Sequence, residues 1–263
     1  AMHQRVLSDK SAVESVQGQV KNEQKSTAKG YFLELALFCL FFGINLTVTL
    51  LTNQILKLTC QSFEEYNDIL CNSLSQNDES TREIEEKLQP FVARILMTNN
   101  LINTIITAVL SLFLGPYSDV FGRKNVLAAS FSGFSLTLAL NALITFISEH
   151  QRLSPWTYTV AHIPQILGGG WPTLLTAVSC YVTDTNEETK RATRITFVGT
   201  VVFIGVLLGI LSCNFILPLT GPTLVFVISA SCASIGTLIV FFGVNESINV
   251  PENISKCDQL KTL

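Results

Sequence analysis

The chain has 263 residues and a formal net charge of −3, and 48% of its residues are hydrophobic against only 14% charged. Soluble domains carry about 25% charged residues, and here the shortfall is concentrated in long windows without any charge. Such windows lack a polar face, which excludes an ordinary soluble globular domain and indicates a protein that crosses a membrane.

Six apolar runs predict transmembrane helices, because about 20 apolar residues cross the hydrocarbon core and a helix satisfies its own backbone hydrogen bonds there. We therefore expect an all-α membrane protein with spans at roughly 31–52, 95–115, 126–147, 157–180, 195–217 and 223–244. These six spans occupy residues 31–244. A polar tail at 1–30 precedes them, and 245–263 is a second tail or the start of a linker.

The loops carry an uneven distribution of positive charge. With six spans, both termini lie on one side, where 12 Lys and Arg residues fall, against 5 on the other. Cytoplasmic loops carry the excess of Lys and Arg in membrane proteins. The distribution predicts cytoplasmic termini, with partners that include the lipid bilayer.

A long outer loop at 53–94 contains Cys60 and Cys71. The outer face is oxidising, so a disulfide between these two cysteines is one interpretation. Two free thiols, or a bond from one of them to another part of the protein, remain open as alternatives.

The first span contains two polar side chains of interest. Glu34 begins the span, and its carboxylate can pair with Arg194 or Lys29, line the inner mouth, or lie in solvent. Asn45 lies at mid-depth, where it can contact a solute or join helices by hydrogen bonds.

The segment GPYSDVFGRKNVL at 115–127 joins the second and third spans. We expect Gly115 and Pro116 to end one helix and Gly122 to allow a tight turn. Arg123 and Lys124 fit an anionic inner leaflet. Asp119 does not, so it needs a partner, either Arg123 or a helix N-terminus.

The fourth span combines ionisable and helix-breaking residues. His162 can carry a proton near neutral pH or remain neutral within a bundle. Gln165 lies one turn further on, and GGGWP at 168–172 predicts a loosened or bent helix.

The connector after the fourth span repeats an acid followed by bases. Asp184, Arg191 and Arg194 can anchor this connector to the anionic inner leaflet. The sequence contains no Gly-rich phosphate loop, paired-His metal spacing or nucleophile elbow. We expect no enzyme activity, no cofactor or metal and no nucleic-acid partner.

GPYSDVFGRKNVL resembles the signature G-x-x-x-D-x-x-G-R-[RK] that the major facilitator superfamily carries between its second and third spans. Gly115, Asp119, Gly122, Arg123 and Lys124 match it. The resemblance implies that Asp119 and Arg123 belong to a charge network that closes the cytoplasmic side. The family often has Arg after the Asp, where this chain has Val120.

A narrower resemblance covers most of 31–247 and points to solute carrier family 46, which includes the proton-coupled folate transporter. Besides GPYSDVFGRKNVL, the matching features are Glu34, Cys60, Cys71, GGGWPTLLTAVSCYVTD at 168–184, Arg191, Arg194 and Glu246. Three positions depart from the family. Leu35 replaces a common Pro, Gly199 replaces the membrane Glu of the folate member, and His162 stands near that member's Arg.

The resemblance implies a major facilitator N-terminal half over 31–244 that transports a small organic solute, including an anionic one, by alternating access, with or without a coupled proton. Glu34, Asn45, His162 and Gln165 are then the candidates for the pathway of solute or proton. Asp184, Arg191 and Arg194 are candidates for a second part of the inner gate, with an inner-leaflet anchor as the alternative. The chain is then expected to be a fragment that works with a missing C-terminal half or a second copy, in the plasma or endolysosomal membrane. A drug:proton antiporter and a truncated, non-transporting regulator are the alternatives.

Overall fold

The structure, a computed structural model, describes residues 2–63, 71 and 79–246, and the regular secondary structure of these residues is helical. Side chains are described over 31–63, 83–118 and 122–246 and for Cys71. The helices there are α1 (Met2–Ser62), α2 (Glu79–Phe121), α3 (Arg123–Ser148), α4 (Thr157–Ala161), α5 (Ile163–Leu167), α6 (Gly170–Thr185) and α7 (Glu188–Gly243).

Within the described residues, four helical segments are long and apolar enough to cross a membrane: Tyr31–Ser62, Glu83–Ser118, Arg123–Ser148 and Glu188–Gly243. The first three contain the first three predicted spans. Their helical backbone continues past the predicted membrane boundaries, so 63–78 rather than 53–94 separates α1 from α2. The prediction of six membrane-spanning helices is therefore not confirmed. The fourth predicted span is divided among shorter helices, and the fifth and sixth form one long element.

The predicted fourth span is divided into α4, α5 and α6, and none of the three is long enough to cross a bilayer alone. Gly169 and Gly170 adopt positive φ angles of 84° and 59°. A Cβ on Gly170 would lie 2.6 Å from Thr107 Cγ2 on α2. The glycine run is therefore required both for the backbone break and for close packing on α2.

The predicted fifth and sixth spans form one element, α7, with non-helical backbone at Gly221 (φ 77°, ψ 169°). Pro218 and Pro222 flank this point. Proline removes a backbone donor and clashes with the preceding turn. Both prolines and the glycine thus favour a break where the sequence predicted one.

The two segments of α7 run in opposite directions along α1. Before Gly221, successive glycines of α7 meet residues that ascend α1: Gly205 approaches Phe38 and Gly209 approaches Phe42. After Gly221, the contacts descend α1: Ser229 meets Gly43, Gly236 meets Ala36 and Gly243 meets Phe32. The chain therefore reverses at Gly221, and α1 packs against both segments.

The main hydrophobic core lies where α1, α3, α6 and α7 meet. Leu40, Phe131, Leu174 and Val240 are buried in it. The ring of Trp171 on α6 packs on Phe134 of α3 with ring centroids 4.8 Å apart. This packing fixes α6 against its neighbours and so positions the polar groups at its ends.

Candidate functional site

Charged side chains gather at one end of the bundle. We call this the charged end: the C-terminus of α2, the N-terminus of α3, the C-terminus of α6 and the N-terminus of α7, together with Glu34 and Glu246. Short connections bring these termini together, since Gly122 alone separates α2 from α3, and Asn186 and Glu187 separate α6 from α7.

Arg123 and Asp184 form an ion pair across the charged end. It joins the first residue of α3 to the last turn of α6, and the two side chains are 15% and 30% exposed. The sequence separately singled out both residues, and the structure brings them together. Asp119, the acid of the same motif, has a side chain outside the described part of the structure.

Glu246 lies at the N-terminus of α3. Its Oε1 accepts hydrogen bonds from the backbone N–H groups of Arg123 at 2.8 Å and Lys124 at 3.3 Å. A helix N-terminus carries partial positive charge and free N–H donors, so a carboxylate there is stabilising. The segment that follows α7 is in this way joined to the start of α3.

Gly122 makes that contact possible. Its φ of 100° is unfavourable for other residues, and a Cβ there would lie 2.5 Å from Glu246 Oε2. By contrast, Gly115 and Pro116 do not end α2 as predicted, because the helix continues to Phe121.

Glu34 and Arg194 form a second ion pair, with Arg194 Nη2 2.6 Å from Glu34 Oε1. The side chains are only 5% and 18% exposed. The guanidinium also lies over the rings of Tyr31 at 5.2 Å and Phe197 at 5.7 Å. Of the partners considered for Glu34, the structure places Arg194 against it.

Arg191 lies at the C-terminus of α6. Its Nε donates to the backbone oxygens of Thr183 at 2.9 Å and Asn186 at 3.2 Å. The last carbonyls of a helix lack partners within the helix, and a cation there is favourable. Arg191 therefore holds the turn between α6 and α7.

Three residues predicted for the pathway of solute or proton, Asn45, His162 and Gln165, are not brought into one site. Asn45 donates to its own helix at Phe41 O, 2.8 Å away, and His162 Nδ1 lies 2.8 Å from Tyr158 O. Gln165 is buried against α3, with its backbone N–H 3.2 Å from the Thr137 hydroxyl. In the described residues, no hydrogen bond joins Asn45 to His162 or Gln165.

At the opposite end of the bundle, Cys60 and Cys71 form a disulfide with Cα atoms 5.7 Å apart. Both cysteines are buried and pack with Leu88 of α2. The bond therefore lies in the contact between α1 and α2, away from the charged end.

Sequence reasoning missed several groups around these pairs. Ser118 and Thr173 carry buried hydroxyls without a hydrogen-bond partner in the described residues. Together with Arg123 they line a cavity of about 100 Å³ between α2, α3 and α6. Tyr31 and Phe197 were also missed. Their positions, three residues from Glu34 and three from Arg194 respectively, were the available signal, but sequence alone does not distinguish a ring that packs on a cation from one that faces lipid.

These features define a multi-pass helical membrane protein with an ion-paired network at one end of its bundle. Residues 33–256 match the family model of the Major Facilitator Superfamily. The chain belongs to this superfamily. The expectations of a transport-protein family and of a protein other than an enzyme are thereby confirmed.

Two known proteins illustrate the similarity. Over 206 residues the chain is 30% identical to the "Probable peptidoglycan muropeptide transporter SLC46" of Drosophila melanogaster, covering 77% of this chain and 40% of that protein. The fold is similar to the crystal structure of the human organic anion transporter MFSD10 (TETRAN). The TM-score is 0.57 and the identity 16%, over 90% of this chain and 53% of that one.

The resemblance to solute carrier family 46 inferred from the motifs is thus confirmed. The chain spans 40% of the length of its curated relative and 53% of the solved structure.

Proposed function

We propose that this chain forms one six-pass half of an alternating-access transporter for a small organic solute. The observation that carries the proposal is the family match over residues 33–256. Transporters of this superfamily consist of two such halves with the solute at mid-membrane between them. The reversal of α7 at Gly221 supports two passes from α7, and α4, α5 and α6 together supply one broken pass.

The charged end supports an inner gate. The Arg123–Asp184 pair, the Glu246 contact and the Glu34–Arg194 pair hold the ends of α1, α3, α6 and α7 together. In alternating access, these ends would close the inner side while the transporter is open to the outside. Asp119, Lys124 and Arg191 belong to the same proposed gate, and Asn45, His162 and Gln165 are proposed to face the pathway of solute or proton.

A second half is the proposed partner, from a longer polypeptide or a second copy of this chain. Only 11% of the apolar window of α2 and 17% of that of α7 are buried, against 67% for α3. Asn100 and Thr104 are exposed on α2. Polar groups are costly against lipid, so this side of α2 favours a protein neighbour.

We propose that the charged end faces the cytoplasm. The 12 Lys and Arg residues assigned to that side, against 5 on the other, support this orientation. The disulfide at the opposite end supports it as well, since disulfides persist in oxidising compartments. The plasma membrane and the endolysosomal membrane both satisfy this arrangement.

Uptake by the purified chain tests the proposal. The chain is reconstituted into liposomes at low and high density, copies per vesicle are counted by photobleaching, and uptake of labelled organic anions is measured. We expect no uptake in single-copy vesicles, and uptake only where copies can pair would identify a second copy as the second half. Robust uptake by single copies would contradict the need for a second half. Absence of uptake at every density, from vesicles in which the chain is folded, would contradict a transporter formed by two copies.

A further inference from the structure

The cavity between α2, α3 and α6 contains a free thiol as well as hydroxyl groups. Its volume is about 100 Å³, and its lining includes Ser118, Arg123, Thr173 and Cys180. Thr173 and Cys180 lie seven residues apart on α6, with Ala177 of the same lining between them. Residues at this spacing share one face of a helix. The thiol of Cys180 and the hydroxyl of Thr173 therefore face the same cavity.

Two hydroxyl groups of this lining are buried and lack a partner. Ser118 is 6% exposed and Thr173 is 4% exposed, and neither side-chain oxygen has a hydrogen-bond partner among the described residues. Buried hydroxyls are costly when unpaired and are normally hydrogen-bonded. By contrast, the hydroxyl of Ser111 in the same lining donates to Ala108 O at 2.8 Å. The pair of unpartnered hydroxyls points to a polar group that binds in the cavity.

The charged side chains described beside Cys180 form a pair. Arg123 lies in the cavity lining and is ion-paired with Asp184. Asp184 follows Cys180 by four residues, so the ion pair lies one helical turn from the thiol. Because the two charges offset each other, an uncharged reactant and an uncharged product fit this part of the cavity.

Cys180 differs from the other free cysteines that the structure describes. It is partly exposed, whereas Cys213 is only 5% exposed in the apolar contact between α1, α3 and α7. Cys39 and Cys232 are also partly exposed, but they lie on α1 and α7 and do not line this cavity. Reactive cysteines lie in partly exposed, polar surroundings, while buried structural cysteines are inert. Cys180 combines exposure with polar neighbours.

We propose that Cys180 is an oxidation site for hydrogen peroxide, and that the Ser118 and Thr173 hydroxyls hold the sulfenic acid that forms. The sulfur attacks one peroxide oxygen, so an S–O bond forms while the O–O bond breaks. The other oxygen leaves as hydroxide and takes the thiol proton, which gives one water molecule. Sulfur is oxidised by two electrons and the peroxide is reduced by two. The new oxygen accepts hydrogen bonds from the two hydroxyls. This modification site is independent of the proposed transport function.

Oxidation of the full chain in lipid nanodiscs tests the inference. The chain is treated with hydrogen peroxide for increasing times, and catalase then removes the peroxide. The chain is next unfolded in dimedone, which traps every sulfenic acid, and the labelled fraction of each cysteine is measured by mass spectrometry. We expect Cys180 to be oxidised at least about fivefold faster than Cys213 in the same molecules.

Three variants test the role of the hydroxyls. Ser118→Ala and Thr173→Val remove the proposed hydrogen bonds, and each should slow the oxidation of Cys180 by about threefold to tenfold. Ser111→Ala is the matched control, since its hydroxyl is already bonded within α2. It should leave the rate at that of the parent. Melting temperatures show that the three variants are folded.

The inference is overturned if Cys180 is oxidised no faster than Cys213, a comparison made within the parent chain. It is also overturned if folded Ser118→Ala and Thr173→Val are oxidised like the parent, or if Ser111→Ala slows oxidation as much as they do. None of these results alters the expected uptake by liposomes. Failure of this inference can therefore be distinguished from failure of the proposed function.

Discussion

Gly122 is the residue at the charged end with the least freedom to change. Alanine there would combine an unfavourable φ of 100° with a Cβ 2.5 Å from the Glu246 carboxylate. We expect Gly122→Ala to lower the free energy of unfolding by about 2 kcal/mol, in the range of other strained backbone positions. Denaturant unfolding of the detergent-solubilised chain measures this value.

Gly115 provides the control for that substitution. It lies in α2 with nothing within 4 Å of an added Cβ. Alanine favours a helix over glycine by about 1 kcal/mol, so Gly115→Ala should leave stability unchanged or raise it slightly. Equal losses in both variants would show that the contact with Glu246 does not restrict position 122.

The Arg123–Asp184 pair should be energetically coupled. Its side chains are 15% and 30% exposed, so solvent screens it only in part. We expect a double-mutant cycle with Arg123→Gln and Asp184→Asn to give a coupling energy of about 1 kcal/mol. The unfolding free energies of the two single variants and the double variant measure it.

Lys190 and Glu187 supply a matched comparison, since their side chains are 66% and 71% exposed and 3.2 Å apart. Exposed pairs of this kind contribute little. Their cycle should give a coupling near zero. If the coupling energy of Arg123 and Asp184 is no larger than that of this surface pair, the Arg123–Asp184 pair does not belong to the proposed gate.

At the scale of elements, small residues determine how α7 meets α1. A Cβ on Gly209 would lie 2.7 Å from the Phe42 carbonyl oxygen. Close approach of backbones at small residues is a common source of helix packing in membranes. We expect Gly209→Val to destabilise the bundle by about 1–3 kcal/mol through overpacking, measured as a lower melting temperature in detergent.

Gly199, ten residues earlier on the same helix, faces open space. Gly199→Val should therefore leave the melting temperature close to that of the parent. If the two valine variants melted alike, the contact between α1 and α7 would not depend on the small residue at position 209.

The apolar runs in the sequence were sufficient to predict the first three membrane spans, because a span needs uninterrupted hydrophobic length. It also indicated the breaks at 168–172 and 218–222, since Gly and Pro oppose a continuous helix. It did not predict that α2 continues through Gly115 and Pro116. Surrounding helices decide whether such a helix bends or stops, and a single chain segment does not contain that information.

For the candidate site, sequence reasoning identified the charged residues better than their partners. Glu34 was left with Arg194, Lys29, an inner mouth or solvent as options, and the structure selects Arg194. Asn45, His162 and Gln165 were grouped with Glu34 as one pathway, yet Asn45 and His162 bond within their own turns and Gln165 bonds to Thr137 of α3. Contacts between residues far apart in sequence depend on helix rotation, which hydrophobic periodicity does not determine in spans that are apolar on all sides.

At the scale of the whole molecule, the reversal at Gly221 predicts that the two ends of the first segment of α7 lie on opposite sides of the membrane. A single cysteine at Thr220 should react with an impermeant maleimide added outside intact cells. One at Ala192, beside the charged end, should react only after permeabilisation. The measurement uses a background that lacks every cysteine outside the Cys60–Cys71 disulfide.

Labelling of both positions from the same side would contradict this arrangement. Labelling from opposite sides, but with Ala192→Cys accessible outside, would keep the reversal and invert the proposed orientation. The experiment therefore separates the path of the chain from the distribution of positive charge that predicts its direction.

The pairing of α1 with both segments of α7 has a consequence for biogenesis. The Ser229 hydroxyl bonds to Gly43 O across 186 residues of sequence. During synthesis, this part of α1 is made 186 residues before the part of α7 that covers it. Such long-range contacts form slowly and leave surfaces exposed in intermediates. The nascent chain must therefore keep α1 in lipid, or against an insertion factor, until α7 has been made.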